Sequence, residues 1–70
     1  MTDKTSITIG KRIKQYRLSA GLSQVGLAEK AGIKSNTVAR LERGEHRASS
    51  PTIEKLAKAL SVKASDILDY

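Results

Sequence analysis

The chain has 70 residues, 13 of them Lys or Arg and 7 Asp or Glu, with a formal net charge of +6. This length suits one small-cored domain, so we expect 1–70 to be a single domain with residues 1–7 as a flexible arm. The sequence has no Cys and one His, His46, which excludes a disulfide framework and a Cys- or His-rich metal site. It contains neither a signal-peptide core nor a membrane-spanning apolar run, so a cytoplasmic location is expected.

Positive charge is concentrated in the first part of the chain. Five basic residues and one acid fall within 1–22, whereas 48–70 holds three of each. This asymmetry favours a polyanionic partner that contacts mainly the first two thirds of the sequence. Net charge alone does not identify that partner.

The first two predicted helices are separated by a glycine. The first covers 9–20, and Gly21 ends it as a C-terminal glycine does. The second covers 24–31, with Ser23 as its N-cap and Gly32 at its end. Helical spacing assigns as apolar positions Ile9, Ile13, Tyr16 and Leu18 in the first helix and Leu27, Ala28 and Ala31 in the second.

Three further helices complete an all-α prediction, because no segment alternates with the period of two of a strand. The third covers 35–43 and ends at Gly44. After a polar loop, Ser50 as N-cap and Pro51 at the first helical position open the fourth helix. A short fifth helix covers 65–69. The predicted buried positions are Val38 and Leu41, then Ile53, Leu56, Ala57 and Leu60, and finally Ile67 and Leu68.

Residues 24–41 combine small and apolar side chains at a spacing that suits two helices crossing near a right angle. Ala28 stands where only a small side chain fits between the helices. Gly32 stands where the chain must reverse, which favours a residue that tolerates positive φ. The side chains expected to fill the angle between the helices are Leu27, Ile33, Val38 and Leu41.

This stretch resembles the helix-turn-helix of the lambda-repressor-like family, which includes phage repressors, Cro proteins and the Xre-type regulators of bacteria. Residues 9–24 are similar to the family's first helix and its Gly-Leu-Ser-Gln junction. Residues 41–44, Leu-Glu-Arg-Gly, resemble the end of its third helix, and 51–62 its fourth. The resemblance implies a compact five-helix domain whose helices 2 and 3 form the motif. It also implies a sequence-specific DNA-binding transcriptional regulator, in the first place a repressor.

By position, the resemblance implies that the start and the exposed face of the third helix read DNA bases. The implied readers are Lys34, Ser35, Asn36 and Arg40. Asn pairs well with adenine and Arg with guanine in the major groove. Because Ser and Asn are also favoured at helix starts, N-capping by Ser35 or Asn36 is an equal alternative. For Arg40 the alternative is a solvated charge, which its place one turn after Asn36 disfavours.

Other residues are expected to contact DNA phosphates. Gln24 opens the second helix, where backbone N–H groups and the helix dipole attract anions, and the family uses its Gln there in that way. The further candidates are Lys11, Lys14, Thr37, Arg43 and Arg47, with Ser49 or Ser50 beside the last. Thr37 alternatively meets a thymine methyl group. Such contacts add salt-dependent affinity that does not depend on sequence.

In similar proteins the residues at positions 17 and 42 form an ion pair between the first and third helices. We therefore expect Arg17 and Glu42 to brace the scaffold. The sequence also departs from the family pattern. Lys34 and Lys63 stand where a capping Ser or Thr is usual, which moves the expected helix starts by a residue or two. Gly26 replaces a common acidic residue, at a helix-propensity cost of up to about 1 kcal/mol.

Two other classes of function compete with this one. A nuclease needs clustered carboxylates or a His base, whereas Asp3, Asp66 and Asp69 lie near the ends and His46 stands alone. Neither enzyme activity nor a cofactor is therefore expected. An antitoxin or adaptor that uses the fold to bind a partner protein stays open. A membrane surface is not expected, because the first helix has no Trp or Phe and needs its apolar stripe for the core.

The mode of binding predicts a homodimer at least on DNA. Half-sites about 34–36 Å apart on pseudo-palindromic DNA match a two-fold protein pair. The expected contact is the C-terminal region 62–70, with Ile67, Leu68 and Tyr70 as candidates, although core closure is the favoured role of Ile67. Double-stranded DNA is thus the expected partner, and the nucleoid the expected location within the cytoplasm.

Overall fold

The computed structural model describes residues 4–68, and these form five helices. Their bounds are Lys4–Ser19 (α1), Gln24–Ala31 (α2), Ser35–Glu42 (α3), Ser50–Leu60 (α4) and Ala64–Leu68 (α5). This part of the chain contains no strand, which confirms the all-α prediction, and α2 and α3 form the predicted helix-turn-helix. None of these helices is long and apolar enough to cross a membrane.

One hydrophobic cluster joins all five helices. Its most deeply buried large side chains are Ile13, Leu27, Val38, Leu41, Ile53, Leu56 and Ile67. Each is a position that helical spacing predicts as buried, so periodicity identifies the centre of the core correctly. Complete burial of one such side chain stabilises the fold by about 1.5–3 kcal/mol.

The first four helices end in the same left-handed turn. The turn residues are Gly21 (φ +71°), Gly32 (φ +73°), Gly44 (φ +75°) and Ser61 (φ +58°). In each case the following N–H donates to the carbonyl five residues earlier, as Ile33 does to Ala28 at 2.9 Å. This pairing satisfies carbonyl groups that a helix end leaves open. The three glycines therefore follow the helix ends as the sequence predicts, although α1 ends at Ser19 instead of 20.

The start of α1 differs from the prediction. Residues 4–7 were expected in a flexible arm, yet they form the first turn of α1, and Ser6 is buried. Leu18, expected in the core, is 59% exposed. Its side chain diverges from that of Tyr16 because residues two apart on a helix face different sides. Residues 1–3 and 69–70, and with them the candidate dimer contact Tyr70, lie outside the described part of the chain.

The cap of α4 is Ser49 rather than the expected Ser50. The Ser49 hydroxyl oxygen accepts the Thr52 N–H at 3.4 Å and lies 3.0 Å from the Thr52 hydroxyl oxygen. Ser50 and Pro51 follow within the first turn, where a missing N–H costs nothing. Two adjacent serines before a proline leave the cap ambiguous by one residue, and the side-chain contact with Thr52 decides it.

Two other helix bounds shift by one residue. α3 ends at Glu42, with Arg43 as its C-cap, and α5 begins at 64 instead of 65. The predicted end of α5 at 69 lies outside the described residues. Asp66 explains the start of α5, since its carboxylate accepts the Lys63 N–H at 2.9 Å. A side chain inside the first turn thus compensates for the lysine that stands at the capping position.

Gly10 lies where α1 crosses the C-terminal end of α3. A Cβ at this position would overlap the Leu41 carbonyl oxygen and lie 3.0 Å from the Glu42 carbonyl oxygen. Helical spacing identifies Ala28 as the small residue of the α2–α3 angle, and Ala28 is indeed buried. It does not identify Gly10, which sets the distance between α1 and α3.

Candidate nucleic-acid interface

The outward face of α3 carries three polar side chains in a row. Val38 and Leu41 are 0% and 1% exposed, so they fix the rotation of α3 about its axis. Asn36, Arg40 and Arg43 follow one another at spacings of four and three residues, which places them together on the opposite face. All three are exposed. The face therefore presents one amide and two guanidinium groups to solvent.

The N-terminal end of α3 is open. Its N-cap is Lys34, whose side chain makes no capping hydrogen bond, and the exposed Ser35 and Asn36 do not cap it either. The capping alternative to base reading is therefore not observed. Together with Arg40, these three residues form one exposed surface, and base reading by them stays a prediction.

Arg17 and Glu42 lie in contact beneath this surface. The Arg17 Nε is 2.6 Å from Glu42 Oε2, and the Nη2 is 3.1 Å from Oε1. The Arg17 Nη1 also donates to the Leu22 carbonyl at 2.8 Å. The two side chains are 10% and 4% exposed. The hydrogen bond with Glu42 raises the pKa of Arg17 above its usual value, so the guanidinium group stays charged at neutral pH.

Gln24 joins the same cluster from the first turn of α2. Its Nε2 donates to Glu42 Oε1 at 3.1 Å, and the residue is half-buried. Glu42 thus connects α1, α2 and α3 through two partners. The cluster holds the start of α2 at a fixed distance from α3. At this end the Gly26 N–H donates to the Ser23 hydroxyl oxygen at 2.9 Å, which leaves the N–H groups of residues 24 and 25 for an anion. The phosphate contact of Gln24 stays a prediction.

The remaining phosphate candidates lie on different elements around α3. Lys11 and Lys14 are exposed on α1, and Lys14 stands one turn beyond Gly10, at the crossing with α3. Thr37 is half-buried on the flank of α3. Arg47 is exposed in the loop before α4, where it helps to line a cavity of about 270 Å³ between that loop and the start of α1.

Arg43 is engaged by a residue that sequence reasoning missed. Its Nε donates to Glu45 Oε2 at 2.8 Å, and its Nη2 donates to Oε1 at 3.2 Å. The hydrogen bonds from Arg43, with a smaller contribution from the charge of Arg40, hold the pKa of the Glu45 carboxyl below its usual value. The alternation of basic and acidic residues in this loop is the sequence signal, but the pairing depends on the turn geometry.

Arg12 was also missed. Its Nη1 donates to the Asp66 carbonyl at 3.2 Å, which ties α1 to α5. The sequence groups Arg12 with the other basic residues of α1, although it faces a different neighbour. Of the basic residues on α1, Arg12 and Arg17 therefore hold other helices, while Lys11 and Lys14 are exposed.

A family model described as helix-turn-helix matches residues 13–67. The matched range includes α2 and α3 completely. The chain therefore belongs to the helix-turn-helix family, and within it to the lambda-repressor-like, Xre-type proteins.

Two relatives differ in how much of their length this chain spans. The chain is 35% identical to the control protein C.BamHI of Bacillus amyloliquefaciens over 71 residues, covering 100% of this chain and 88% of that protein. It is 40% identical to the transcriptional regulator SinR of Bacillus subtilis over 62 residues, covering 87% of this chain and 56% of SinR. The chain thus spans most of the control protein but little more than half of SinR.

Solved structures confirm the fold class. The restriction-modification controller protein C.AhdI of Aeromonas hydrophila superposes with a TM-score of 0.86 at 34% identity, over 89% of this chain and 94% of that one. SinR in complex with DNA superposes with a TM-score of 0.85 at 40% identity, over 87% of this chain and 98% of the SinR chain. SinR is also solved in complex with SinI. That structure superposes on this chain with a TM-score of 0.84 at 40% identity, over 87% of this chain and 60% of the other.

Proposed function

We propose that this protein is a sequence-specific transcriptional regulator that places α3 in the major groove of double-stranded DNA. Of the two kinds of regulator, a repressor is the first candidate. The observation that carries the proposal is the row of Asn36, Arg40 and Arg43 on an exposed helix face opposite the buried Val38 and Leu41. Asn and Arg are the side chains best suited to bidentate contacts with adenine and guanine.

The dimensions of α3 suit this placement. A helix with its side chains is about 10–12 Å in diameter, and the major groove is about 12 Å wide. The open N-terminal end lets Lys34, Ser35 and Asn36 approach base edges, with Arg40 one turn behind. SinR, which superposes over most of this chain, is solved in complex with DNA, and this likeness supports binding to DNA.

Contacts with phosphate would hold the domain in register on the duplex. The proposed set is Gln24, Lys11, Lys14, Thr37 and Arg47, together with Arg43 when its guanidinium group is released from Glu45. Gln24 has the strongest case, because the cluster with Arg17 and Glu42 keeps it beside the free N–H groups of α2. Positively charged contacts of this kind make affinity fall steeply with salt.

Within this class, control of a restriction-modification system is favoured by the likeness to C.AhdI and C.BamHI. The chain spans 88% of C.BamHI and 94% of C.AhdI, which are both controller proteins by name. We propose binding as a homodimer to two inverted half-sites, at the nucleoid. A protein partner is the second candidate, favoured by the likeness to SinR, which is solved with SinI. No enzymatic activity is proposed.

Selection of bound duplexes from a random pool by the purified chain tests the proposal. We expect enrichment of one sequence with inverted half-sites whose centres lie about 10 base pairs apart. If no duplex is enriched over bulk DNA at physiological salt, the regulator proposal fails. Enrichment of a single half-site would keep the DNA-binding proposal and remove the dimer.

A further inference from the structure

Glu45 departs from a pattern that the other helix ends follow. After the left-handed turns of α1, α2 and α4, the next residue is apolar and packs against the core; these residues are Leu22, Ile33 and Val62. The residue at the same point after α3 is Glu45, which is exposed. An apolar contact at this point commonly accompanies such a turn. Glu45 makes no such contact. Its carboxylate is bound by the guanidinium group of Arg43 instead.

The turn fixes the position of Glu45 on the molecule. The Gly44 N–H donates to the Leu41 carbonyl at 3.0 Å, and the Glu45 N–H donates to the Arg40 carbonyl at 3.0 Å. Gly44 itself has a φ of +75°, which a side chain would oppose. Two hydrogen bonds therefore hold the Glu45 backbone against the last turn of α3. The carboxylate stands at the end of the row that carries Arg40 and Arg43.

The Glu45 carboxylate engages the guanidinium group of Arg43 at two points. The distances are 2.8 Å from Nε to Oε2 and 3.2 Å from Nη2 to Oε1. The side chains are 55% and 48% exposed, so a large ligand reaches the pair from solvent. A guanidinium fork binds carboxylate and phosphate with the same geometry. The N–H groups that hold Glu45 are therefore the ones that Arg43 would offer to DNA.

We infer that Glu45 withholds Arg43 from the phosphate backbone and so lowers the affinity of the chain for DNA of any sequence. This inference rests on the proposed function. Glu45 also places a negative charge beside the path of the phosphates, which adds repulsion. The residues proposed to read bases at the start of α3 lie outside the ion pair. Glu45 thereby reduces the part of the binding that does not depend on sequence.

The test compares the parent chain with Glu45→Gln on a short mixed-sequence duplex, by fluorescence anisotropy over a range of salt concentrations. Glutamine keeps the size of the side chain and removes its charge. If Arg43 gains one phosphate, binding tightens and the plot of log affinity against log salt steepens by about 0.9. The ratio of the Glu45→Gln affinity to the parent affinity should then be about 3.5-fold smaller at about 200 mM salt than at about 50 mM salt.

Two controls separate the ion pair from general charge. Glu54→Gln removes the same charge from an exposed position on α4 that makes no ion pair in the described part of the chain, and we expect it to leave the salt slope unchanged. In an Arg43→Ala background, Glu45→Gln should no longer steepen the slope. The inference is overturned if the slope of Glu45→Gln equals that of the parent, or if it steepens equally without Arg43. A parent that binds no duplex at all would overturn the proposed function as well.

Discussion

Arg40 is the residue from which we expect the clearest effect on sequence choice. It is exposed on α3 one turn beyond Asn36, and a bidentate contact with guanine contributes about 1–3 kcal/mol of discrimination. Arg40→Ala should therefore lose preference at one base pair of each half-site. Titration of the selected duplex and its single-base variants measures this loss.

Lys14→Ala is the matched control for Arg40→Ala, because it removes one positive charge from a proposed phosphate contact. It should weaken binding to all duplexes equally and flatten the salt slope by about 0.9. If Arg40→Ala also weakens all duplexes equally, Arg40 contacts phosphate and does not read a base.

Substitution of Arg17 should lower the free energy of unfolding, and this is the first effect we expect, ahead of any effect on DNA binding. The side chains of Arg17 and Glu42 are 10% and 4% exposed. Removal of the arginine therefore leaves a buried carboxylate without its cation. Loss of one partner from a buried pair costs about 3 kcal/mol. Chemical unfolding of Arg17→Ala measures this cost, with Lys55→Ala on the exposed face of α4 as the control. An Arg17→Ala protein as stable as the parent but unable to bind DNA would make Arg17 a phosphate contact.

At the scale of whole helices, the end of α4 offers a simple gain in stability. Ser61 is the one described residue other than glycine with positive φ, at 58°. The left-handed conformation costs a residue with a side chain about 1–2 kcal/mol. Ser61→Gly should therefore raise the melting temperature, by about 4–8 °C for each 1 kcal/mol gained. Ser65→Gly, on the exposed side of the right-handed α5, should lower it.

The crossing of α1 and α3 should be intolerant of any side chain at Gly10. Glycine to alanine inside a helix normally stabilises by up to about 1 kcal/mol. At Gly10 the new Cβ would overlap the Leu41 carbonyl oxygen, a backbone atom that cannot move aside. Gly10→Ala should thus destabilise the protein despite its better helix propensity.

Gly26→Ala is the internal comparison for Gly10. There the nearest atom is the Ser23 hydroxyl oxygen at 3.1 Å, which has to move only a few tenths of an ångström and can still accept the Gly26 N–H. We expect Gly26→Ala to be neutral or stabilising in thermal unfolding. A stable Gly10→Ala protein would show that α1 and α3 can move apart.

The helix ends and the core were predictable because each depends on local chemistry. Gly21, Gly32 and Gly44 are readily accommodated in left-handed turns, and the spacing of apolar residues assigns the buried face. The start of α1 was missed because the apolar spacing begins only at Ile9, although Asp3, directly before Lys4, is a preferred N-cap residue. Contacts beyond the first turn bury Ser6.

The candidate site was predictable only in part. The exposed row on α3 follows from the positions of the buried residues. The contact of Glu45 with Arg43 depends on the turn after α3, and the contact of Arg12 depends on how α1 meets α5. Neither Gly10 nor Glu45 belongs to a periodic pattern. Only the folded chain brings each of them beside its partner.

At the scale of the whole molecule, one small core holds the helix-turn-helix, the buried ion pair and the exposed face of α3 in a fixed relation. The buried cluster of Arg17, Gln24 and Glu42 links three helices, so the start of α2 and the face of α3 should dock on DNA as one rigid surface. Two such surfaces related by a two-fold axis would meet successive turns of the major groove on the same side of the duplex.

The measurement that tests this account most directly is an amide chemical-shift map of the isotope-labelled chain, titrated with the selected duplex. We predict that the largest changes fall on residues 34–36 and on Arg40, with smaller changes at the start of α2. Large changes confined to α4 and α5, with the amides of α3 unmoved, would contradict the central claim that α3 lies in the major groove.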